Sequence, residues 1–362
     1  MTQRLFLPAS KPLQLKQSLR HIKTLRRNMT REPCFDNLLK VLNRQTPDHP
    51  TLFEFFLNPG LYEYLADDSF SYGDFTSQYD VVIKAFLTAG YDYASLIGSE
   101  FRFPVKDHDR KKTISVNDGA VITDRKEFEK YIWPEPEDFD YSRLDKCRKN
   151  LPEGMKIIVW GPGGVLENVT DLVGYDNLCF MLAEDPELVS DICEAVGTRL
   201  NKYYEICSCF DTVGALISND DWGFQTQTLL APSDLRKYIF PYHKRIVETI
   251  HASGKPAILH SCGNLAEVWE DIIEVMKYDG KHSYEDNIMP VEEAYVKFHE
   301  RIAILGGIGM DFMCRSTPAA IVKRCQGLLE LSEGCRSYAL GTGNSVPDYM
   351  PYLNYFAMIG TV

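Results

Sequence analysis

The sequence predicts a (β/α)8 barrel (TIM barrel), the α/β fold in which eight parallel strands alternate with helices around a central axis. Short apolar, β-branched runs recur between longer stretches of helical periodicity, which is typical of repeated βα units. Eight such runs can be placed, and one closed barrel accounts for them more economically than two separate sheets. A length of 362 residues suits a barrel with insertions.

The eight predicted strands are short, and several contain Ile, Val or Tyr. They are Thr51–Phe56, Tyr91–Ile97, Lys156–Trp160, Thr212–Ser218, Pro256–His260, Tyr278–Tyr284, Ile302–Gly306 and Ser337–Leu340. The sixth run is the least regular, because Asp279 and Lys281 are poor strand residues. Helix starts are indicated between the strands by Asp185-Pro186, Pro232-Ser233 and Thr317-Pro318.

The predicted barrel domain covers residues 34–362 and has two additions. Residues 1–33 are predicted to form a basic helical arm, since residues 1–31 contain eight Lys or Arg and no Asp or Glu. The arm either packs on the acidic body or docks on an acidic partner. Residues 101–150 are predicted to form an insertion, in which Lys112–Thr123 is typical of a β-hairpin around an Asn-Asp-Gly turn. Long loops of this kind often form lids.

Charge and cysteine content exclude several classes of protein. The formal net charge of −12 argues against a nucleic-acid partner, which requires a basic surface. No apolar run approaches the roughly 18 residues needed to span a bilayer, and no signal peptide is evident. The ten cysteines form no Cys-x-x-Cys pair, which favours reduced thiols. We therefore expect a cytoplasmic protein without a membrane partner.

Polar residues accumulate where the predicted strands end, and in barrels of this type catalytic groups lie at those C-terminal ends. The strand ends carry Glu54, Gly161–Gly164, Asn219–Gly223, His260 with Cys262, Glu285 with Asp286, Asp311, and Gly341–Ser345.

The pair His260 and Cys262 is a candidate zinc site. Residues two apart on a strand project the same way, and imidazole nitrogen and thiolate sulfur are ligands that Zn²⁺ prefers. Glu285 ends the next strand and is a candidate third ligand, although it could instead be a charge at a helix N-terminus. Cys335 precedes the last strand and is expected at the opposite end of the barrel. The fourth position would then be open, as catalytic zinc requires. The alternative is a hydrogen-bonded histidine beside a cysteine that only fills space.

The chain resembles the uroporphyrinogen decarboxylase superfamily and, within it, the zinc-dependent, cobalamin-linked methyltransferases. The resemblance covers residues 34–360 and rests on four segments. They are ILHSCGN (258–264), HSYEDNIMPVEEA (282–294), ILGGIGMD (304–311) and YALGTGNSVPDYMPYLNYFAMI (338–359). The resemblance implies a barrel with its cleft at the C-terminal face.

Methyltransferases of this kind that use coenzyme M carry a His-x-Cys pair and a distant Cys in the last glycine-rich turn. His260 and Cys262 match the pair, whereas the distant position is Thr342. Cobalamin-independent methionine synthase is similar, and its glutamate ligand matches Glu285. The decarboxylases carry an arginine-rich segment that here is Phe53–Gly60, without arginine, so porphyrinogen decarboxylation is not expected.

The resemblance implies a zinc-dependent methyltransferase that moves a methyl group between methylcobalamin, or another methylated corrinoid on a partner protein, and a thiol or tetrahydrofolate. Zn²⁺ would be held by His260, Cys262 and Glu285. Asp220 or Asp221 would orient a ligand or substrate, and Glu54 would handle a proton. Substrate binding is expected at the last turn, which consists of Gly341, Thr342, Gly343 and Asn344.

Two other functions stay open. One is a metal-independent lyase, with His260 as acid and base and Asp220 polarising a substrate. The other is a non-catalytic protein that binds a corrinoid protein through residues 1–31. The expected partners are a corrinoid protein and a small methyl acceptor, and a homodimer is left open.

Overall fold

The computed structural model describes residues 31–66, 78–105, 120–334 and 336–362. The predicted basic arm therefore lies outside the described residues up to residue 30, and residues 31–33 are not helical. The predicted hairpin Lys112–Thr123 lies outside them up to residue 119, and Cys335 is also outside. Both the arm and the hairpin stay predictions.

The core of the fold is one sheet of seven parallel strands, in the order β1 to β7 along the chain. The strands are β1 Tyr93–Ile97, β2 Lys156–Trp160, β3 Val213–Asn219, β4 Ala257–His260, β5 Gly280–His282, β6 Ala303–Leu305 and β7 Tyr338–Ala339. Their residues are almost all buried, as expected when a parallel sheet is covered on both faces. The register pairs Asn219 with His260 and His260 with His282, so these three residues lie at one level of the sheet.

Helices connect successive strands and cover the sheet. The α-helices are α1 Phe35–Leu42, α2 Pro59–Ala66, α3 Gln78–Ala89, α4 Arg125–Lys130, α5 Ser142–Lys146, α6 Val165–Val173, α7 Tyr175–Glu184, α8 Pro186–Ser208, α9 Phe240–Ala252, α10 Val291–Phe298, α11 Met310–Arg315, α12 Pro318–Leu331 and α13 Tyr352–Ile359. Short turns of 3-10 helix lie at Pro136–Asp138 and Cys147–Lys149, a helical turn lies at Pro232–Asp234, and π-helical turns lie at Leu235–Ile239 and Asp271–Val275.

Helix starts follow the predicted capping residues. The carboxylate of Asp185 accepts the N–H of Leu188 at 3.0 Å, and the hydroxyl of Thr317 accepts the N–H of Ala320 at 3.3 Å. Side chains of this kind satisfy N–H groups that the first helical turn leaves without partners. None of the described helices is long and apolar enough to cross a membrane.

Seven of the eight predicted strands are confirmed, and the fold is of the TIM-barrel type. The remaining predicted strand, Thr51–Phe56, is the first along the chain and is not a regular strand. It forms a single parallel bridge between Leu52 and Leu340. On its other side, the hydroxyl of Tyr93 accepts the N–H of Glu54 and donates to its carbonyl, both at 2.7 Å. A side chain of β1 thus occupies the place where backbone pairing would close the ring.

The least regular predicted strand became β5 because its lysine is accommodated by specific contacts. The side chain of Lys281 is buried, its ammonium group lies 4.3 Å from the ring centroid of Tyr284, and it donates to the carbonyl of Ser283. A cation over an aromatic face and a carbonyl acceptor offset part of the cost of burial. Burial nevertheless lowers the pKa of Lys281 to about 8.

Candidate functional site

His260 and Cys262 lie side by side at the C-terminal end of β4. The sulfur of Cys262 is 3.7 Å from Nε2 of His260. The chain turns sharply after them at Gly263, where φ is +80° and a Cβ would lie 2.2 Å from the backbone of Gly223. Only glycine avoids that collision. The turn keeps the loops after β3 and β4 close together.

Asp221 belongs to the same cluster. It follows β3, and its Oδ1 accepts the backbone N–H of Cys262 at 2.8 Å. One possible ligand atom from each of Asp221, His260 and Cys262 lies within 4.8 Å of the other two. Asp221 and Cys262 are partly exposed, while His260 is buried. A carboxylate, an imidazole and a thiol converging at a strand end form a donor set suited to Zn²⁺.

Glu285, the predicted third ligand, is not a member of this group. Its Oε1 accepts the N–H of Gly263 at 3.3 Å and so contacts the turn behind Cys262. The carboxylate that lies beside His260 and Cys262 in the structure is therefore that of Asp221. A role for Glu285 as a ligand stays a prediction.

The sulfur of Cys262 receives two weak hydrogen bonds. Ser283 Oγ and Asn344 Nδ2 each donate to it at 3.3 Å. Burial, helped by the negative charge of Asp221, raises the pKa of the Cys262 thiol to about 12. Without a cation the sulfur therefore stays protonated at neutral pH, and a bound metal ion is what would make it a thiolate.

His282, which the sequence analysis did not select, is the direct neighbour of His260. The two Nδ1 atoms are 2.8 Å apart, and Nε2 of His282 is 3.3 Å from the carbonyl oxygen of Thr342. Burial lowers the pKa of His260 well below its usual value and that of His282 to about 3. Both rings are neutral at physiological pH. The segment HSYEDN places a second histidine at the end of the next strand, and the structure shows that it lies in register with His260.

Glu54 and Thr342 form a closed pair beneath this site. One carboxyl oxygen of Glu54 lies 2.8 Å from the backbone nitrogen of Thr342, and the other lies 2.7 Å from the hydroxyl oxygen of Thr342. The same hydroxyl also contacts the carbonyl of Asn344. Burial raises the pKa of Glu54 to about 8, against the opposing effect of these bonds. The hydroxyl of Thr342 is the donor in both contacts and is shared between Oε2 of Glu54 and the carbonyl of Asn344.

Two N–H groups of the predicted substrate-binding turn have partners within the protein. Thr342 N–H donates to Glu54, and Gly343 N–H donates to the carbonyl of Ile308 at 2.7 Å. Gly341 packs directly against the segment carrying Glu54, since a Cβ there would lie 1.8 Å from the carbonyl of Phe53. Within this turn, Asn344 contacts the group formed by Asp221, His260 and Cys262, because its side-chain amide donates to the sulfur of Cys262.

Asp220 is fully buried and saturated with donors. Four groups donate to its carboxylate at 2.8–2.9 Å, namely the N–H groups of Leu166 and Glu167, Nε1 of Trp222 and Nε2 of His243. The first two belong to the N-terminal turn of α6, where a carboxylate is favoured. Asp220 thus anchors two helices to β3, and no part of it faces solvent.

Glu167 is a second residue, after His282, that spacing in the sequence did not single out. It follows the glycine-rich turn after β2, where its Oε2 accepts the N–H of Gly164 at 2.8 Å. Burial, with the charges of Asp220 and Asp221, raises its pKa to about 8. The spacing Gly-x-x-Glu at the start of α6 was the available signal, because an acid at this position often caps the helix. Glu167 adds a proton-holding group beside Asp221.

Comparison with known proteins identifies the family. The family model for uroporphyrinogen decarboxylase (URO-D) matches residues 110–362, and the chain belongs to this family. The resemblance noted in the sequence is thereby confirmed at family level. No curated protein matches the sequence.

Similar solved structures support the fold. A methyltransferase from Methanosarcina mazei superposes with a TM-score of 0.66 at 13% identity, covering 91% of this chain and 98% of that one. An endo-1,4-beta-xylanase from Caldicellulosiruptor owensensis has a TM-score of 0.39 at 13% identity, covering 76% and 92% of the two chains. The second similarity is too weak to carry an argument, and the first establishes the fold alone.

Proposed function

We propose that the protein is a zinc-dependent methyltransferase that moves a methyl group between a methylated corrinoid and a thiol or tetrahydrofolate. The observation that carries this proposal is the convergence of Asp221, His260 and Cys262 at the C-terminal ends of β3 and β4. Membership of the uroporphyrinogen decarboxylase family and the likeness to an archaeal methyltransferase support the same class of protein.

The donor set fits Zn²⁺ because it combines a neutral imidazole, a sulfur and a carboxylate oxygen. His260 would bind through Nε2, Cys262 through its sulfur and Asp221 through a carboxylate oxygen, leaving a fourth position for the acceptor. When bound, zinc would supply a Lewis acid that lowers the pKa of the acceptor thiol and keeps it ionised.

The chain's own residues would prepare the site in two ways. Ser283 and Asn344 donate hydrogen bonds to the Cys262 sulfur, which stabilises negative charge there. Asp221 holds the N–H of Cys262, so the carboxylate also fixes the loop that carries the sulfur. Glu167 and Glu54, both with pKa values raised to about 8, are two buried carboxyl groups that would hold a proton.

The methyl donor we propose is a corrinoid carried by a partner protein in the cytoplasm. Phe53–Gly60, at the first strand end, contains no arginine to bind the carboxylates of a porphyrinogen, which disfavours the decarboxylase reaction of the family name. A metal-independent lyase that uses His260 and Asp220 receives less support, because all the oxygen contacts of Asp220 are internal.

The experiment combines metal analysis with an activity assay. Protein purified without chelator should contain about one zinc per chain, and it should demethylate free methylcobalamin in the presence of a thiol or tetrahydrofolate. The cobalamin spectrum reports the reaction directly. Metal-free protein that retained full activity would contradict the proposal, and release of carbon dioxide without a corrinoid would favour the lyase.

A further inference from the structure

The imidazole of His282 lies between His260 and the backbone of Thr342. We propose that His282 is a positioning residue that keeps the proton of His260 on Nδ1, so that Nε2 presents its lone pair to a metal ion. The proposal rests on the zinc site proposed above and assigns the residue that orients one of its ligands.

The donors and acceptors in this series of hydrogen bonds determine which ring nitrogens carry protons. The carbonyl oxygen of Thr342 only accepts, so Nε2 of His282, 3.3 Å away, must carry a proton. Both rings are buried, with exposures of 6% for His260 and 0% for His282, and neither forms an ion pair among the described residues. A buried ring without a counter-charge is neutral and has one N–H.

The other nitrogen of His282 therefore has a lone pair. Its Nδ1 lies 2.8 Å from Nδ1 of His260, and this contact requires one proton, which His260 must supply. Nε2 of His260 is then free of a proton. That atom lies 3.7 Å from the sulfur of Cys262, on the side of the proposed metal position.

The last acceptor in this series of hydrogen bonds, the carbonyl of Thr342, is held in place by backbone contacts. The carbonyl of Thr342 also accepts the N–H of Gly307 at 2.8 Å, while the N–H of Thr342 donates to Glu54. With both sides of the residue held, its carbonyl cannot turn away from His282. The opposite proton arrangement would place two lone pairs against each other at Thr342.

Aromatic side chains pack against both imidazole rings. The ring of Phe53 lies 5.1 Å from that of His282, and the ring of Phe55 lies 4.4 Å from that of His260, measured between centroids. Gly306 has a φ of +68°, and a Cβ there would lie 3.0 Å from Nε2 of His282. Partners that orient a metal-ligating histidine typically affect metal affinity by about 10–100-fold.

Two amide substitutions separate the hydrogen bond from the volume of the ring. His282→Asn places Oδ1 near the position of Nδ1 and keeps an acceptor for His260, so zinc affinity should fall by less than about 10-fold. His282→Gln places its amide near Nε2 and removes that acceptor, as does His282→Leu, and both should lose about 10–100-fold. His299→Leu, at the far end of α10, is the control and should bind zinc as the wild type does.

Zinc affinity is measured by competition with a chelating dye, with circular dichroism to confirm folding. Equal affinity in the Asn and Gln variants, or unchanged affinity in Gln and Leu, would overturn the proposal. If the Leu variant fails to fold, the Asn and Gln variants still give the comparison.

A second readout needs no metal. Long-range ¹H–¹⁵N correlation spectra of metal-free protein labelled at its eight histidines should show His260 protonated on Nδ1 and His282 on Nε2. A His260 proton on Nε2 would overturn the inference. Wild-type protein that binds no zinc would instead refute the proposed function, and the spectra would then decide the assignment of the protons separately.

Discussion

Two Asp–His clusters lie next to each other in this barrel and differ in how completely their donors and acceptors are used. In the first, Asp220 and His243 are fully buried, and every oxygen and nitrogen contact is made within the protein. In the second, Asp221 and His260 lie beside Cys262 and leave one side of each group available. An anchoring cluster and a candidate ligand cluster can therefore contain the same residue types. What distinguishes them is whether all of their donors and acceptors have hydrogen-bond partners within the protein.

The two acids differ because they are consecutive on an extended segment. Successive side chains of such a segment face opposite sides. Asp220 faces the N-terminus of α6, whereas Asp221 contacts the loop after β4. A one-residue change of register would exchange their surroundings.

The largest expected effect is the loss of zinc from Cys262→Ser, because a serine hydroxyl is a poor substitute for a thiolate ligand. Zinc affinity should fall by more than the roughly 100-fold that limits outer-sphere changes. Metal analysis after gel filtration measures it. Cys209→Ser, at an exposed cysteine, is the matched control and should keep its zinc. Full zinc content in the Cys262 variant would place the metal elsewhere.

The second expected effect separates the clusters by stability. Asp220→Asn removes the charge that four donors hold, and breaking a buried charged interaction costs about 3 kcal/mol of unfolding free energy. Urea denaturation measures it. Asp221→Asn, the neighbouring partly exposed acid, is the control and should change stability by less than about 1 kcal/mol. Equal destabilisation by both variants would show that Asp220 anchors the fold no more than Asp221 does.

The third expected effect decides between two candidate ligands. Asp221→Asn should weaken zinc binding by about 10-fold or more, because an amide oxygen carries no charge. Glu285→Gln should change affinity less, since its carboxylate contacts the backbone of Gly263. The reverse order in a dye-competition titration would assign the ligand role to Glu285, as the sequence predicts.

The fourth expected effect concerns the pH dependence of stability. Because the pKa of Glu54 is raised to about 8 in the folded chain, the folded state holds a proton that the unfolded state releases above about pH 4.5. Its contribution is complete below pH 4.5 and is lost as pH rises to 8, by at most about 1.4 kcal/mol per pH unit. Glu54→Gln mimics the protonated acid and should flatten this slope in urea titrations. An unchanged slope would show that Glu54 is ionised in the folded protein.

Seven strands and three of the helix starts between them could be predicted because apolar periodicity and capping residues such as Asp185 and Thr317 are local signals. The irregular first strand could not, because its pairing is replaced by the hydroxyl of Tyr93, about forty residues later in the chain. No local pattern reports such a contact.

The site was partly predictable for the same reason. The pair His260 and Cys262 is local to one strand end, and its juxtaposition follows from spacing alone. The nearby carboxylate depends on which side of its segment Asp221 faces, and the sequence spacing favoured Glu285 instead. His282 could not be identified from spacing, because its contact with His260 depends on the register between β4 and β5.

The closed pair of Glu54 and Thr342 has a consequence for how this site can change. Thr342 stands at the position where the sequence resemblance implies a cysteine ligand, and its hydroxyl donates to the buried carboxyl of Glu54. A cysteine introduced there alone would remove the hydroxyl donor from Oε2 of Glu54, while the backbone N–H of residue 342 would still donate to Oε1. We therefore expect the effect of a substitution at position 342 to depend on the residue at position 54.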